Sequence, residues 1–176
     1  MVAAPLGYEE EIAALAGPAI VVTGASSRSG SVASALTRVD TELVVVHDAA
    51  RPLAQSTVFD EVTSVLVAQA KYDGVIAAAP LADTLKRASP LDLRVSETLN
   101  REGLWAVQTP QAFRTGVLRG ALTVDEAALE EATDDAALVE AAGALVHVHL
   151  VGEPNPKVTS EADLEVAAAL LARRAY

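Results

Sequence analysis

The chain has no cysteine among its 176 residues. Disulfides, thiolate metal sites and cysteine nucleophiles are therefore excluded. Aromatic residues are scarce, with one Trp, three Tyr and two Phe, so a core has to be assembled from Ala, Val and Leu. Cations are outnumbered, 13 Lys and Arg against 24 Asp and Glu, for a formal net charge of -11. A surface this acidic argues against nucleic acid as a partner. It leaves room for a small anion only where the few cations converge in one cleft. No apolar run reaches membrane-spanning length, and no basic-then-apolar leader opens the chain. The expectation is a cytoplasmic protein without a membrane partner.

What the chain does have is aliphatic mass. Hydrophobic residues make up 51%, which suits one domain with a parallel sheet under Ala-rich helices. The pattern alternates between strand and helix. Strand-like runs are Ala19–Val22, Glu42–His47, Gly74–Ala79, Leu104–Gln108 and Leu145–Val151, rich in β-branched or small apolar residues. Helical patterns cover Tyr8–Ala16, Ser29–Thr37, Gln55–Ala70, Thr115–Leu122 and Thr133–Ala142. A last helix opens at Ser160 with Asp163 three residues on, a capping-box spacing. Residues 83–103 are charged and loosely alternating, as an extended arm or hairpin would be. This order predicts an α/β, Rossmann-like, doubly wound and mostly parallel sheet carrying a β-arm. In such sheets ligands lie beyond the C-terminal ends of the strands.

Two loops after strands invite a chemical reading. Thr23-Gly24-Ala25-Ser26-Ser27-Arg28-Ser29-Gly30 resembles the phosphate loop of short-chain dehydrogenases. Arg28 stands where that fingerprint needs Gly, and no Tyr is followed by Lys four residues later. Both departures weigh against a dehydrogenase. His47-Asp48-Ala49-Ala50-Arg51-Pro52 is more specific, because an Asp and an Arg at a strand mouth can grip a polar ligand from two sides. Alone, it is equally well an ion pair within a loop.

Further runs follow in order. They are Asp83-Thr84-Leu85-Lys86, Arg101-Glu102-Gly103-Leu104-Trp105, Gln108-Thr109-Pro110-Gln111-Ala112-Phe113, Thr133-Asp134-Asp135-Ala136 and Asn155-Pro156-Lys157-Val158-Thr159. The series resembles the methylerythritol phosphate cytidylyltransferase family, whose members carry these motifs in this order. A ribitol phosphate subgroup shares much of the pattern but commonly has Ser-Val at Ala49-Ala50, so the sequence favours methylerythritol phosphate. The resemblance implies transfer of CMP from CTP with release of pyrophosphate, aided by Mg²⁺ bound mainly through the CTP phosphates. It places the substrate-phosphate clamp on Arg101 and Lys157, and polyol or ribose contacts on Asp48, Arg51, Thr84 and Thr109. The nucleotide-facing positions are Gly24, Ala25, Ser26, Ser31 and Asp48. Relatives usually have a second Gly and often an Asp where this chain has Ala25 and Ser26. The resemblance also implies a homodimer through the arm, with Arg101 crossing to the second subunit.

One departure is larger. The family begins with a strand and a glycine-rich triphosphate loop that this sequence does not contain. The expectation is that a first β-α unit, on the order of 30 residues, is missing. Its strand would lie between Met1–Pro5 and Val44–Val46, leaving two open sheet edges. A sugar-phosphate-binding relative without catalysis is the alternative reading.

Overall fold

A computed structural model describes residues 1–152 and 155–174. Its strands are β1 (Val2–Ala4), β2 (Val21–Thr23), β3 (Leu43–Val46), β4 (Gly74–Pro80), β5 (Lys86–Ala88), β6 (Val95–Thr98), β7 (Trp105–Arg114) and β8 (Val146–Leu150). Its helices are α1 (Glu9–Leu15), α2 (Arg28–Leu36), α3 (Ser56–Ala68), α4 (Thr115–Ala121), α5 (Glu126–Glu131), α6 (Asp135–Ala141) and α7 (Glu161–Arg174). The α/β alternation read from the sequence is present, with element ends shifted by a residue or two except at β7, which runs six residues beyond Gln108.

The main sheet has the order β3-β7-β4-β8. β4 and β8 are parallel, while β7 runs antiparallel to both β3 and β4. Three of the four strands therefore share one direction. The exception has a plain cause. No helix separates β4 from β7, so the chain is not carried back to the start of the sheet and must return in the opposite sense. The Gln108–Phe113 motif, expected beyond a strand ending at Gln108, lies inside β7. Helix α5 also had no counterpart in the sequence pattern; it spans six residues, capped by the Asp125 carboxylate accepting from the Ala128 amide.

Alternation along the strands builds two cores. Ile76 and Phe113 face one side, with Leu36, Leu118, Ala136 and Val139 from α2, α4 and α6 packed on them. Val75, Ala77 and Ala112 face the other and meet Val62 and Leu66 of α3. Gly74 is required beneath Phe113, because a Cβ there would approach the ring to 2.8 Å.

β1 and β2 form a separate parallel pair. Among the described residues β1 bonds only to β2, and β3 only to β7, so each keeps one open edge. The β5-β6 hairpin is the predicted arm, exposed on both strands. At the chain's far end the capping box is formed: the Asp163 carboxylate accepts from the Ser160 amide, and the Ser160 hydroxyl accepts from the Asp163 amide. No helix among the described residues is long and apolar enough to cross a membrane.

Phe113 is the largest fully buried side chain, and few other aromatics exist to fill its space. Phe113→Ala should cost about 3–5 kcal/mol of unfolding free energy by chemical denaturation. A loss below about 1 kcal/mol would mean that the core is not organised around this ring.

Candidate functional site

β3 delivers its chain into the loop that carries His47, Asp48 and Arg51, and β7 passes beside it. The junction is wired by polar groups. The Asp48 amide donates to Thr109 Oγ1 at 3.0 Å. His47 Nε2 lies 3.1 Å from the Arg51 carbonyl, which can only accept, so this nitrogen carries the proton. Nδ1 then accepts from the Thr109 hydroxyl at 3.0 Å. Burial lowers the His47 pKa, in keeping with a neutral ring. Thr109 is itself buried, and its proton is committed to His47. In this arrangement it fixes the loop.

The segment before α7 is pinned against the same loop. The Val158 amide donates to the Ala50 carbonyl at 2.7 Å. Arg51 Nη1 donates to the Asn155 carbonyl at 2.8 Å, and buried Asn155 Nδ2 donates to the Thr109 carbonyl at 2.9 Å. These bonds bring Lys157 to the mouth of β3, with Nζ 3.5 Å from Asp48 Oδ2. Arg51 Nε lies 3.9 Å from the same oxygen. The loop ion pair and the shared site are thus both present.

A third cation completes the cluster. Arg28, the first residue of α2, donates from Nε to Asp48 Oδ1 at 2.9 Å and from Nη1 to Asp135 Oδ2 at 2.6 Å. Burial raises the Asp48 pKa, but Arg28 and then Lys157 more than offset it, so the carboxyl stays below its ordinary value. Asp135 is fully buried, and there burial prevails over Arg28: its pKa is raised. Its neighbour Asp134 caps α6 through the Ala137 amide and accepts from Gln111 Nε2 at 2.9 Å.

Asp48, Arg51, Thr109 and Lys157 line one cavity of about 420 Å³, together with Arg28 and Gln111. This volume suits a small phosphorylated molecule. Three of the chain's 13 cations meet here. The other candidates lie elsewhere in the single chain. Thr84 is exposed at the base of the arm. Arg101 lines a second cavity beside Trp105, its guanidinium donating to the carbonyls of Leu81, Ala82 and Asp83. Gly24, Ala25, Ser26 and Ser31 form the turn ahead of α2, where the Ala25 amide donates to Ser31 Oγ. Gly24 is tight here, since a Cβ would come within 2.8 Å of that hydroxyl.

In the sequence Gln111, Asp134 and Asn155 stand out only as members of motifs, and Arg28 only as a departure from another family's fingerprint. A helix-start Arg gives no sign of which carboxylates it will reach.

Asn155→Ala should remove the bond to the Thr109 carbonyl and loosen the segment that presents Lys157, at about 1–3 kcal/mol in chemical denaturation. Unchanged stability would show that the Val158–Ala50 bond and the Arg51 bond to the Asn155 main-chain carbonyl suffice to hold the segment.

The sequence model of the family described as IspD, 2-C-methyl-D-erythritol 4-phosphate cytidylyltransferase, matches residues 1–173. A 2-C-methyl-D-erythritol 4-phosphate cytidylyltransferase of Frankia casuarinae is 45% identical over 98% of this chain and 64% of its own length. A bifunctional enzyme IspD/IspF of Anaeromyxobacter dehalogenans is 43% identical over 93% of this chain and 42% of its own. The chain therefore spans less than two-thirds of these relatives. The crystal structure of 4-diphosphocytidyl-2C-methyl-D-erythritol synthase from Anaerococcus prevotii superposes with a TM-score of 0.82 at 30% identity, covering 95% of this chain and 75% of that one. With its fold, its motif order and nearly its whole length accounted for, the chain belongs to the 2-C-methyl-D-erythritol 4-phosphate cytidylyltransferase family.

Proposed function

We propose that this chain takes part in transfer of CMP from CTP to 2-C-methyl-D-erythritol 4-phosphate, with release of pyrophosphate. The observation that carries this reading is the meeting of Asp48, Arg51 and Lys157 on one cavity, from stretches far apart in sequence. Both reactants are anions. A phosphate oxygen of the polyol attacks the α-phosphorus of CTP, and the bond from that phosphorus to the pyrophosphate oxygen breaks. The protein's task is to bring two repelling groups into line and to neutralise charge as it develops. Lys157 supplies a mobile point charge and Arg51 a fixed fork. Asp48 accepts from a hydroxyl of the polyol or ribose, and the turn at Gly24, Ala25, Ser26 and Ser31 faces the nucleotide.

Magnesium belongs to this reading as part of the nucleotide. Among the described residues no group of three or more His, Asp or Glu could hold a metal ion. Asp48, Asp134 and Asp135 are already bonded or paired to Arg28, Lys157, Gln111 or a helix amide. No step is assigned to a protein-held ion.

Arg101 lies on the second cavity of its own chain, and the hairpin carries exposed Leu91 and Leu93. Both support a homodimer in which the arm delivers Arg101 to the partner's phosphate site. A cytoplasmic location completes the reading.

Pyrophosphate release with CTP, Mg²⁺ and methylerythritol phosphate tests the reaction. Its absence with the polyol bound indicates a non-catalytic relative, and faster turnover of ribitol phosphate overturns the substrate. Lys157→Ala and Arg101→Ala should each lower kcat/KM by about 100-fold or more with the fold intact by circular dichroism; wild-type rates contradict the clamp. Mixing the two inactive variants should restore about a quarter of wild-type activity, because half of the dimers are mixed and each mixed dimer holds one complete site. No recovery rules out sharing of Arg101 between subunits.

A further inference from the structure

We propose that Arg28 is a positioning residue for the cavity, tying the Asp48 carboxylate to Asp135 so that the second Asp48 oxygen stays turned toward Lys157. This deepens the reading of the cavity as a phosphate site and rests on it.

The geometry divides the Asp48 carboxylate between two sides. Oδ1 is occupied by Arg28 at 2.9 Å, while Oδ2 faces Lys157 at 3.5 Å and Arg51 at 3.9 Å. Arg28 is held in turn from the far side, by fully buried Asp135 at 2.6 Å. Asp135 sits in the first turn of α6, whose packing against the sheet through Ala136 and Val139 gives the guanidinium a rigid backstop. Arg28 also follows the turn that ends at Ser27, the cap of α2. One planar group therefore spans the nucleotide-facing turn, the mouth of β3 and the start of α6.

Remove that group, and Oδ1 is left without a donor beside Arg51. With Oδ1 freed, the carboxylate can offer both oxygens to the guanidinium fork of Arg51, whose Nε already lies 3.9 Å from Oδ2. Asp48 would then swing toward Arg51, and Lys157 would lose the contact that keeps its ammonium at the cavity. A lysine at position 28 carries the charge but not two donors in different directions, so it serves one carboxylate at the expense of the other.

A merely structural role makes a different claim. In that case Arg28 exists to neutralise buried Asp135, and deleting both charges together leaves the cavity untouched. The double variant Arg28→Met/Asp135→Asn separates the two, because it leaves no buried charge unpaired and favours a folded product. Positioning predicts that its KM for methylerythritol phosphate rises about tenfold or more, with a smaller change in kcat. Arg28→Lys should show a rise in the same direction. A wild-type KM in the double variant overturns the proposal. A crystal structure of the double variant supplies the arm that does not depend on substrate. Asp48 paired through both oxygens to Arg51 supports the proposal, and Asp48 unmoved beside Lys157 sinks it. Should the wild-type chain release no pyrophosphate, the functional reading fails by itself while this structural comparison still decides the role of Arg28.

Discussion

A half-buried carboxylate among guanidinium and ammonium groups is the interaction on which this architecture turns. Asp48 has lost much of its hydration, and an isolated charge in that position would be driven to protonate. Arg28, Arg51 and Lys157 keep it ionised. The dependence is mutual, because three cations facing one cavity would repel one another without an anion among them. Buried ion pairs contribute little net stability once desolvation is counted. What they supply here is geometry: Arg28 is fixed in place and Lys157 and Arg51 are kept near the cavity.

That geometry requires the sheet. Arg51 and Asp48 leave the end of β3, Thr109 sits within the adjacent β7, and Lys157 lies in the segment that follows β8. β7 is antiparallel to β3, so its Thr109 passes the point where β3 ends and can bond to the Asp48 amide. A parallel strand in that position would have needed a crossover helix and a different loop at the β3 mouth. The direction of β7 is thus part of the site's construction. The two cores hold it there, with Phe113 on one face and Ala112 on the other.

Much of this was legible in the residues. Burial on both faces of Gly74–Ala79 shows as an unbroken apolar run, and α6 shows as the helical pattern Thr133–Ala142, although its cap is Asp134. The convergence of Asp48, Arg51 and Lys157 on one cavity was legible because ordered motifs bring their own context. The rest was not, for physical reasons. A hydrophobic pattern carries no strand direction, so β7 read as a strand without its antiparallel sense. The Asn155 side-chain amide and the Thr109 hydroxyl meet main-chain groups of Thr109 and Asp48, which any residue possesses. Arg28 reaches Asp135 across 107 positions in sequence, a contact that only the folded chain creates.

The acidity of the molecule bears on how such a site can hold an anion at all. A net charge of -11 sets an unfavourable field for phosphates at long range, but exposed charges farther away than about 8 Å are largely screened at physiological salt. Within the cavity the separations are shorter and part of the water is excluded, so nearby cations outweigh distant carboxylates. Asp48 then has a second consequence. It holds the cations by contacts of unequal length, tightest with Arg28 and looser with Lys157 and Arg51. In the proposed reaction, an arriving phosphate would compete for the looser pair while the tight one keeps the carboxylate in place, so the framework would persist and only the groups nearest the ligand would be freed.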